Sequence, residues 1–407
     1  MSSVDWVPEL AAALDGLVPL EDGSRADWND VVARADTRRK LWFGRGRSRS
    51  RRLRLAIVVA LLFLLLAGAA TATYLLLRGN GKIVFQGSFG TLLVANPNGP
   101  GLRAIARCAA GRPSCAIFEP AWSRDGGRLA FVRGRCCDFP LGRRRNSDMS
   151  LYVAAADGRA ARRLASCGNC GVQYQGQHLG WLPNGRWIAF TRRGPTWQES
   201  LWVVAAAGGR LHRLTDCRAL CADVQPTWSP NGRLLAFQRE TPAGSTIYIV
   251  RPDGSGLTRI ASGADPEWSP DGSRIAFDDK GRIEIAKADG SPVRLVFAGT
   301  PATGPGAPSW SPDGRKLVFF TTPGRPGHFR LEVWTMNADG SGKERLYRSG
   351  CCIGYGAPPI WSPDGRLIAF SANSAGGTFV INADGSGLRR LSPITSSDLS
   401  WQQRPSR

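Results

Sequence analysis

Six times along this chain a Trp is followed nine residues later by a Phe, and that spacing limits the fold more than any other feature. The segments are Trp122 to Phe131 (WSRDGGRLAF), Trp181 to Phe190 (WLPNGRWIAF), Trp228 to Phe237 (WSPNGRLLAF), Trp268 to Phe277 (WSPDGSRIAF), Trp310 to Phe319 (WSPDGRKLVF) and Trp361 to Phe370 (WSPDGRLIAF). In five of them a Pro sets φ for the first corner of a tight turn and a Gly takes the positive φ of a hairpin. Each segment is followed by a variable stretch and then an apolar strand ending in a turn such as Asp253-Gly254, Asp289-Gly290, Asp339-Gly340 or Asp384-Gly385. Five or six residues beyond that Gly a further strand is expected to end on Leu164, Leu214, Ile260, Leu295, Leu346 or Leu391.

Each unit therefore predicts a four-stranded antiparallel sheet, A-B-C-D, which cannot bury both faces alone. Units of roughly 40 to 50 residues built this way stack face to face around an axis as a β-propeller. The repeated Trp and Phe are core residues wedged between blades. High Gly (49), Pro (27) and Trp (14) suit many short strands joined by tight turns. Lys82 to Phe85 (KIVF), followed by Leu92 to Ala95 and a turn at Asn98-Gly99, lacks an A strand. Asp398 to Pro405 (DLSWQQRP), with Trp401 at the tryptophan position, lacks a B strand. Joining the two ends makes one composite blade and removes exposed edges.

The W-S-P-D-G-R-x-I-A-F repeats resemble the TolB-type, WD40-like propeller family over roughly Lys82 to Arg404. The resemblance implies an all-β fold. Six repeats and one composite blade predict a seven-bladed propeller of four-stranded blades; since TolB has six blades, a six-bladed ring with one irregular repeat is the alternative. TolB carries an α/β domain before its propeller, whereas here an apolar segment precedes the repeats. A role in a Tol–Pal complex therefore does not carry over.

That segment, Leu55 to Leu77 (LAIVVALLFLLLAGAATATYLLL), holds 23 residues without a charge. As a helix it reaches roughly 34 Å, enough to cross a bilayer. A cleaved signal peptide is the competing account, given the small residues Ala67 to Ala72. The preceding 54 residues and the continuing TYLLL favour a retained anchor. Nine Lys or Arg and no acid lie between Arg38 and Arg54, against Arg78 and Lys82 on the other flank, so residues 1–54 are expected in the cytoplasm and residues 78–407 outside it. In the tail, Asp27 to Asp36 (DWNDVVARAD) fits either a short partner-docking helix or a loosely ordered juxtamembrane segment.

The net charge of +21 raises the question of a polyanion. The basic residues are 47 Arg and 6 Lys scattered through the repeats, and no recognition helix or aromatic-basic platform is present, so nucleic acid is not the expected partner.

In an up-and-down blade the A–B and C–D turns share one face, and the B–C and D–A loops share the other. The turns are short and uniform; the loops carry the length variation and are the expected binding face. All ten cysteines fall there: Cys108 and Cys115, Cys167 and Cys170, Cys217 and Cys221, and Cys351 and Cys352 in D–A loops, with Cys136 and Cys137 in a B–C loop. Outside the cytoplasm an even number predicts disulfides; for Cys167-x-x-Cys170 a redox pair or a zinc half-site is the alternative. Because Arg78 to Gly81 is the only linker before the first B strand, the turn face is expected against the membrane. The distal loop Arg143, Arg144 and Arg145 would then meet an anionic or protein partner.

Catalytic signatures are sparse. Three His (His178, His212, His328) and no G-x-S-x-G elbow are present, and no cofactor motif. One constellation stands out: the residue three before each tryptophan is Glu119, His178, Gln225, Asp265, Ala307, Pro358 and Asp398. These positions are expected to ring the channel mouth, with Asp398, Glu119 and His178 forming an arc able to hold a metal or a cationic group. Polar strand ends that are simply solvated are the plainer account. Two function classes follow: a non-catalytic binding or scaffold module for a protein, peptide or envelope polymer, and a lyase or hydrolase built on the channel mouth.

Overall fold

The computed structural model describes residues 81–403, apart from 88–89, 100, 109–114, 136–148, 169–178, 195–197, 219, 292, 300–303, 305, 325–327, 351–356 and 373–375. The described residues belong to one compact unit, Arg78–Arg407. Residues 1–54, expected in the cytoplasm, and the Leu55 to Leu77 segment lie outside them. Among the described residues no helix is long and apolar enough to cross a membrane.

Every described element is a strand. The first three are β1 (Ile83–Gln86), β2 (Thr91–Ala95) and β3 (Arg103–Arg107). Then follow β4 (Cys115–Trp122), β5 (Arg128–Arg135), β6 (Met149–Ala155) and β7 (Arg162–Gly168), and β8 (Leu179–Trp181), β9 (Trp187–Arg193), β10 (Glu199–Ala205) and β11 (His212–Arg213). Next come β12 (Ala222–Trp228), β13 (Leu235–Thr241), β14 (Gly244–Val250) and β15 (Thr258–Ser262), and β16 (Ala264–Trp268), β17 (Arg274–Asp278), β18 (Arg282–Lys287) and β19 (Arg294–Ala298). The last are β20 (Gly306–Trp310), β21 (Lys316–Thr321), β22 (Glu332–Asn337) and β23 (Glu344–Arg348), then β24 (Ile360–Trp361), β25 (Leu367–Ala372), β26 (Gly377–Asn382), β27 (Arg389–Ser392) and β28 (Leu399–Trp401).

Consecutive strands pair antiparallel into four-stranded sheets, giving a propeller-like, all-β fold. The sheets of β8–β11 and β12–β15 are continuous through one parallel contact, Glu199 against Ala222. The two chain ends share a sheet in the order β28-β1-β2-β3.

One register rule recurs throughout. Each repeat Trp pairs with the residue two before its Phe: Trp122 with Leu129, Trp228 with Leu235, Trp268 with Ile275 and Trp361 with Ile368. Trp401 obeys it across the chain ends by pairing with Ile83, two before Phe85. The phenylalanines Phe85, Phe131, Phe190, Phe237, Phe277, Phe319 and Phe370 head the fully buried side chains. Burying each is worth about 1.5–3 kcal/mol. Trp310 packs with Ala276, Ile283 and Ile285 of the preceding sheet as well as with Leu317 and Phe319 of its own, so the repeat residues do fill the space between sheets.

The turns behave as their chemistry dictates. In Ser269-Pro270-Asp271-Gly272 the Gly272 N–H donates to the Ser269 carbonyl at 2.8 Å, with Gly272 at φ 71°. The Ser269 hydroxyl donates to Asp271, and the Arg274 N–H donates back to that hydroxyl at 3.0 Å. The expected ends of the outer strands are corrected: β7, β15, β19, β23 and β27 run on to Gly168, Ser262, Ala298, Arg348 and Ser392, and β11 stops at Arg213, one residue before Leu214. Leu295 is 49% exposed and Val296 is buried, because the inward position lies six residues past the turn glycine in every unit, and six past Gly290 is Val296.

Candidate functional site

The Trp–Phe register creates the site. In β4, β12, β16 and β20 the pairing slips between Phe118 and Ala121, Val224 and Thr227, Ala264 and Glu267, and Gly306 and Ser309. Each slip sets two residues against one, and the single residue opposite is the buried Phe. The first bulged residue is the one three before the Trp: Glu119 (φ 53°), Gln225 (φ 54°), Asp265 (φ 53°) and Ala307 (φ 47°). Left-handed backbone at a non-glycine residue is disfavoured, so the sheets must compensate.

The compensation passes from sheet to sheet. Freed from the ladder, the N–H of Glu119 donates to Asp398 Oδ2 at 3.4 Å, and that of Asp265 donates to Gln225 Oε1 and Gln238 Oε1, each at 3.1 Å. The Ala307 N–H donates in turn to the Asp265 carboxyl. After Ala307, which has no side-chain acceptor, comes Pro358, which has no N–H to donate. Asp398, next round, satisfies its own N–H on Ser396 Oγ at 3.2 Å. The polar character of these positions thus has a structural cause that the sequence did not reveal.

A second relay runs beside the first. The indole N–H of Trp181, Trp228, Trp268, Trp310 and Trp361 donates to the carbonyl of Ala121, Gly180, Thr227, Glu267 and Ser309 respectively, at 2.9–3.2 Å. Every donor points back to the preceding sheet. The buried indole nitrogens of Trp401, in the sheet that joins the chain ends, and of Trp122, in the sheet that follows it, have no hydrogen-bond partner among the described residues.

Five successive tripeptides line a cavity of about 190 Å3: Gln225-Pro226-Thr227, Asp265-Pro266-Glu267, Ala307-Pro308-Ser309, Pro358-Pro359-Ile360 and Ser397-Asp398-Leu399. Gln225, Asp265 and Asp398 are thereby brought together. Glu119 is buried and reaches this group through its N–H to Asp398, but does not line the cavity. His178 lies outside the described residues, so the Asp398–Glu119–His178 arc is not assembled among them. No three His, Cys, Asp or Glu side chains converge as a metal-binding group among the described residues.

The cavity wall is electrostatically unusual at one sheet. Burial raises the Glu267 carboxyl to about 7, and raises that of Asp265, which hydrogen bonds from Gln225 and the Ala307 N–H partly offset. Burial, with the charges of Asp265 and Asp279, pushes Asp278 up to about 8. By area these acids are half-buried. Glu267 and Asp278 escaped the sequence analysis because one precedes the Trp directly and the other ends a B strand, positions that ordinarily hold solvated residues.

On the loop face Cys108 is bonded to Cys115 and Cys217 to Cys221, and Cys167 is also disulfide-bonded. Cys136, Cys137, Cys170, Cys351 and Cys352, like Arg143, Arg144 and Arg145, lie outside the described residues. The Cys217–Cys221 bridge holds up Leu220, 81% exposed with φ 42°. A single large apolar residue between paired cysteines was the available signal. Beneath this loop the buried Asp223 accepts Arg239 Nε at 2.6 Å and NH2 at 2.8 Å, and Arg193 pairs with Glu199.

Among solved structures, the periplasmic gluconolactonase of Pseudomonas aeruginosa is 14% identical, with a TM-score of 0.57 over 80% of this chain and 99% of that one. An oligogalacturonate lyase from Vibrio parahaemolyticus is 15% identical, with a TM-score of 0.55 over 74% and 85%. TolB from Acinetobacter baumannii is 19% identical, with a TM-score of 0.47 over 67% and 64%. At such identities the likeness is one of fold. No curated protein matches the chain. A family model described as the TolB beta propeller domain matches residues 112–350, more than half of the chain.

Proposed function

Since the chain belongs to the TolB β-propeller domain family, we propose that it is a non-catalytic binding module that takes a protein or peptide on its loop face. In this proposal residues 1–54 are cytoplasmic, Leu55 to Leu77 span the membrane and residues 78–407 form an extracytoplasmic seven-bladed propeller, the eight-stranded sheet counting as two blades joined by one parallel contact. The observation that carries the binding proposal is Leu220. A leucine at 81% exposure, in left-handed backbone inside a disulfide-closed loop, is costly in water and pre-ordered for contact. Fixing an apolar anchor beforehand reduces the entropy lost on binding. A photo-crosslinker at position 220 of the full chain in its native membrane should yield discrete protein adducts, whereas one at Asp313 in an A–B turn should not. Equal labelling at both positions, or none at 220, would count against the proposal.

The enzyme alternative draws support from Glu267, whose pKa of about 7 beside a cavity is that of a general acid or base. Gluconolactonase and lyase folds of this type exist, but fold alone does not transfer activity. Turnover of a lactone or uronate that disappears in Glu267→Gln, with unchanged stability, would favour it.

A further inference from the structure

Exposed large apolar side chains are few among the described residues: Leu102, Leu220, Leu257, Val293, Leu295 and Leu388. Four of them hold one repeat position. Leu102, Leu257, Val293 and Leu388 each stand three residues past a C–D turn glycine, namely Gly99, Gly254, Gly290 and Gly385. All four therefore lie on the rim of the turn face, the face opposite Leu220. An exposed arginine follows within two residues in each case. Each of the outer strands β3, β7, β11, β15, β19, β23 and β27 has an arginine among its first two residues. Arg103, Arg163 and Arg389 make no ion pair among the described residues. The exposed turn acids Asp253, Asp289 and Asp384 accept the N–H of Ser255, Ser291 and Ser386, each at 2.9 Å, and form no ion pair with these arginines among the described residues.

An apolar residue beside an arginine suits the membrane interface, where the one enters the headgroup layer and the other binds lipid phosphate with its planar fork. The rim residues are spaced around the sheets instead of forming one contiguous patch. A protein hot spot is compact, whereas a bilayer is a plane that meets equivalent positions of successive sheets together. We propose that this rim seats on an anionic lipid bilayer, with Leu102, Leu257, Val293 and Leu388 in the headgroup layer and the adjoining arginines on lipid phosphates. The inference rests on the membrane-anchored arrangement proposed above.

The test uses the full chain in lipid nanodiscs made of phosphatidylcholine alone or of equal parts phosphatidylcholine and phosphatidylglycerol, with photo-crosslinkers at positions 257, 388 and 220. Lipid adducts at 257 and 388 should rise several-fold in the anionic discs and stay absent at 220. The double variant Arg103→Glu/Arg389→Glu should lower them by at least about ten-fold. Adducts indifferent to lipid charge, adducts to protein only, or lipid adducts at 220 would overturn the proposal. If the chain does not enter discs at all, the anchor assignment falls. Sedimentation of the same protein with preformed vesicles of the two compositions then decides the rim: binding to the anionic vesicles that the double variant loses supports it, and no binding refutes it.

Discussion

Asp265 and Asp278 lie one register step apart on β16 and β17, and the charge of the first adds to burial in holding the second largely protonated at neutral pH. An acid whose folded pKa is raised opposes folding once pH passes its unfolded value, here 3.8, and the penalty grows until the folded value, about 8, is reached. Glu267 adds the same effect between 4.5 and about 7. Stability should therefore fall from pH 5 to pH 8. Asp278→Asn should remove roughly 1–3 kcal/mol of that fall, after discounting for water at the site, as read by denaturant midpoints at the two pH values. A mutant whose gain is the same at both pH values would refute this.

The indole relay predicts unequal costs for one substitution. Trp268→Phe deletes a hydrogen bond to the Thr227 carbonyl, whereas Trp122→Phe deletes an N–H that has no partner among the described residues. The first should cost about 1–2 kcal/mol more than the second in chemical unfolding.

Asp223 is fully buried and held by Nε and NH2 of the Arg239 guanidinium, which also lies over Phe237 and Tyr248. Asp223→Ala leaves a cation without its partner in the wall between two sheets. A loss of about 3–5 kcal/mol is expected, and Asp223→Ala/Arg239→Met should recover much of it.

The Cys217–Cys221 bridge closes a short loop. Its removal by Cys217→Ser/Cys221→Ser should cost about 2 kcal/mol, read as a lower Tm. Crosslinking through position 220 should fall with it, because the loop no longer holds Leu220 out.

Much of the fold was legible because the repeat writes its own register. Trp and Phe nine apart, with a Pro-Gly turn between them, leave one antiparallel pairing that buries both, and it reappears between Trp401 and Phe85. The site was less legible. A left-handed bulge at Glu119 or Gln225 has no sequence signature, since neither residue favours that backbone. The relay it permits gives polar residues there a structural role that spacing alone cannot separate from ligand binding. The ends of the outer strands were less legible because their last residues are small or polar: β15 closes on Ser262 and β19 on Ala298, past the apolar residue that marks each strand in the sequence.

Every paired indole donates to the sheet made before it, so the ring has a direction of assembly. As the chain emerges from its N-terminus, each new sheet finds its acceptor carbonyls already in place. The exception is the sheet of β1, β2 and β3, whose fourth strand, β28, comes after every other sheet in the chain. Until β28 arrives, β1 presents an unpaired edge, and a chain stalled or cut before Leu399 is left as an open horseshoe prone to pair with its neighbours.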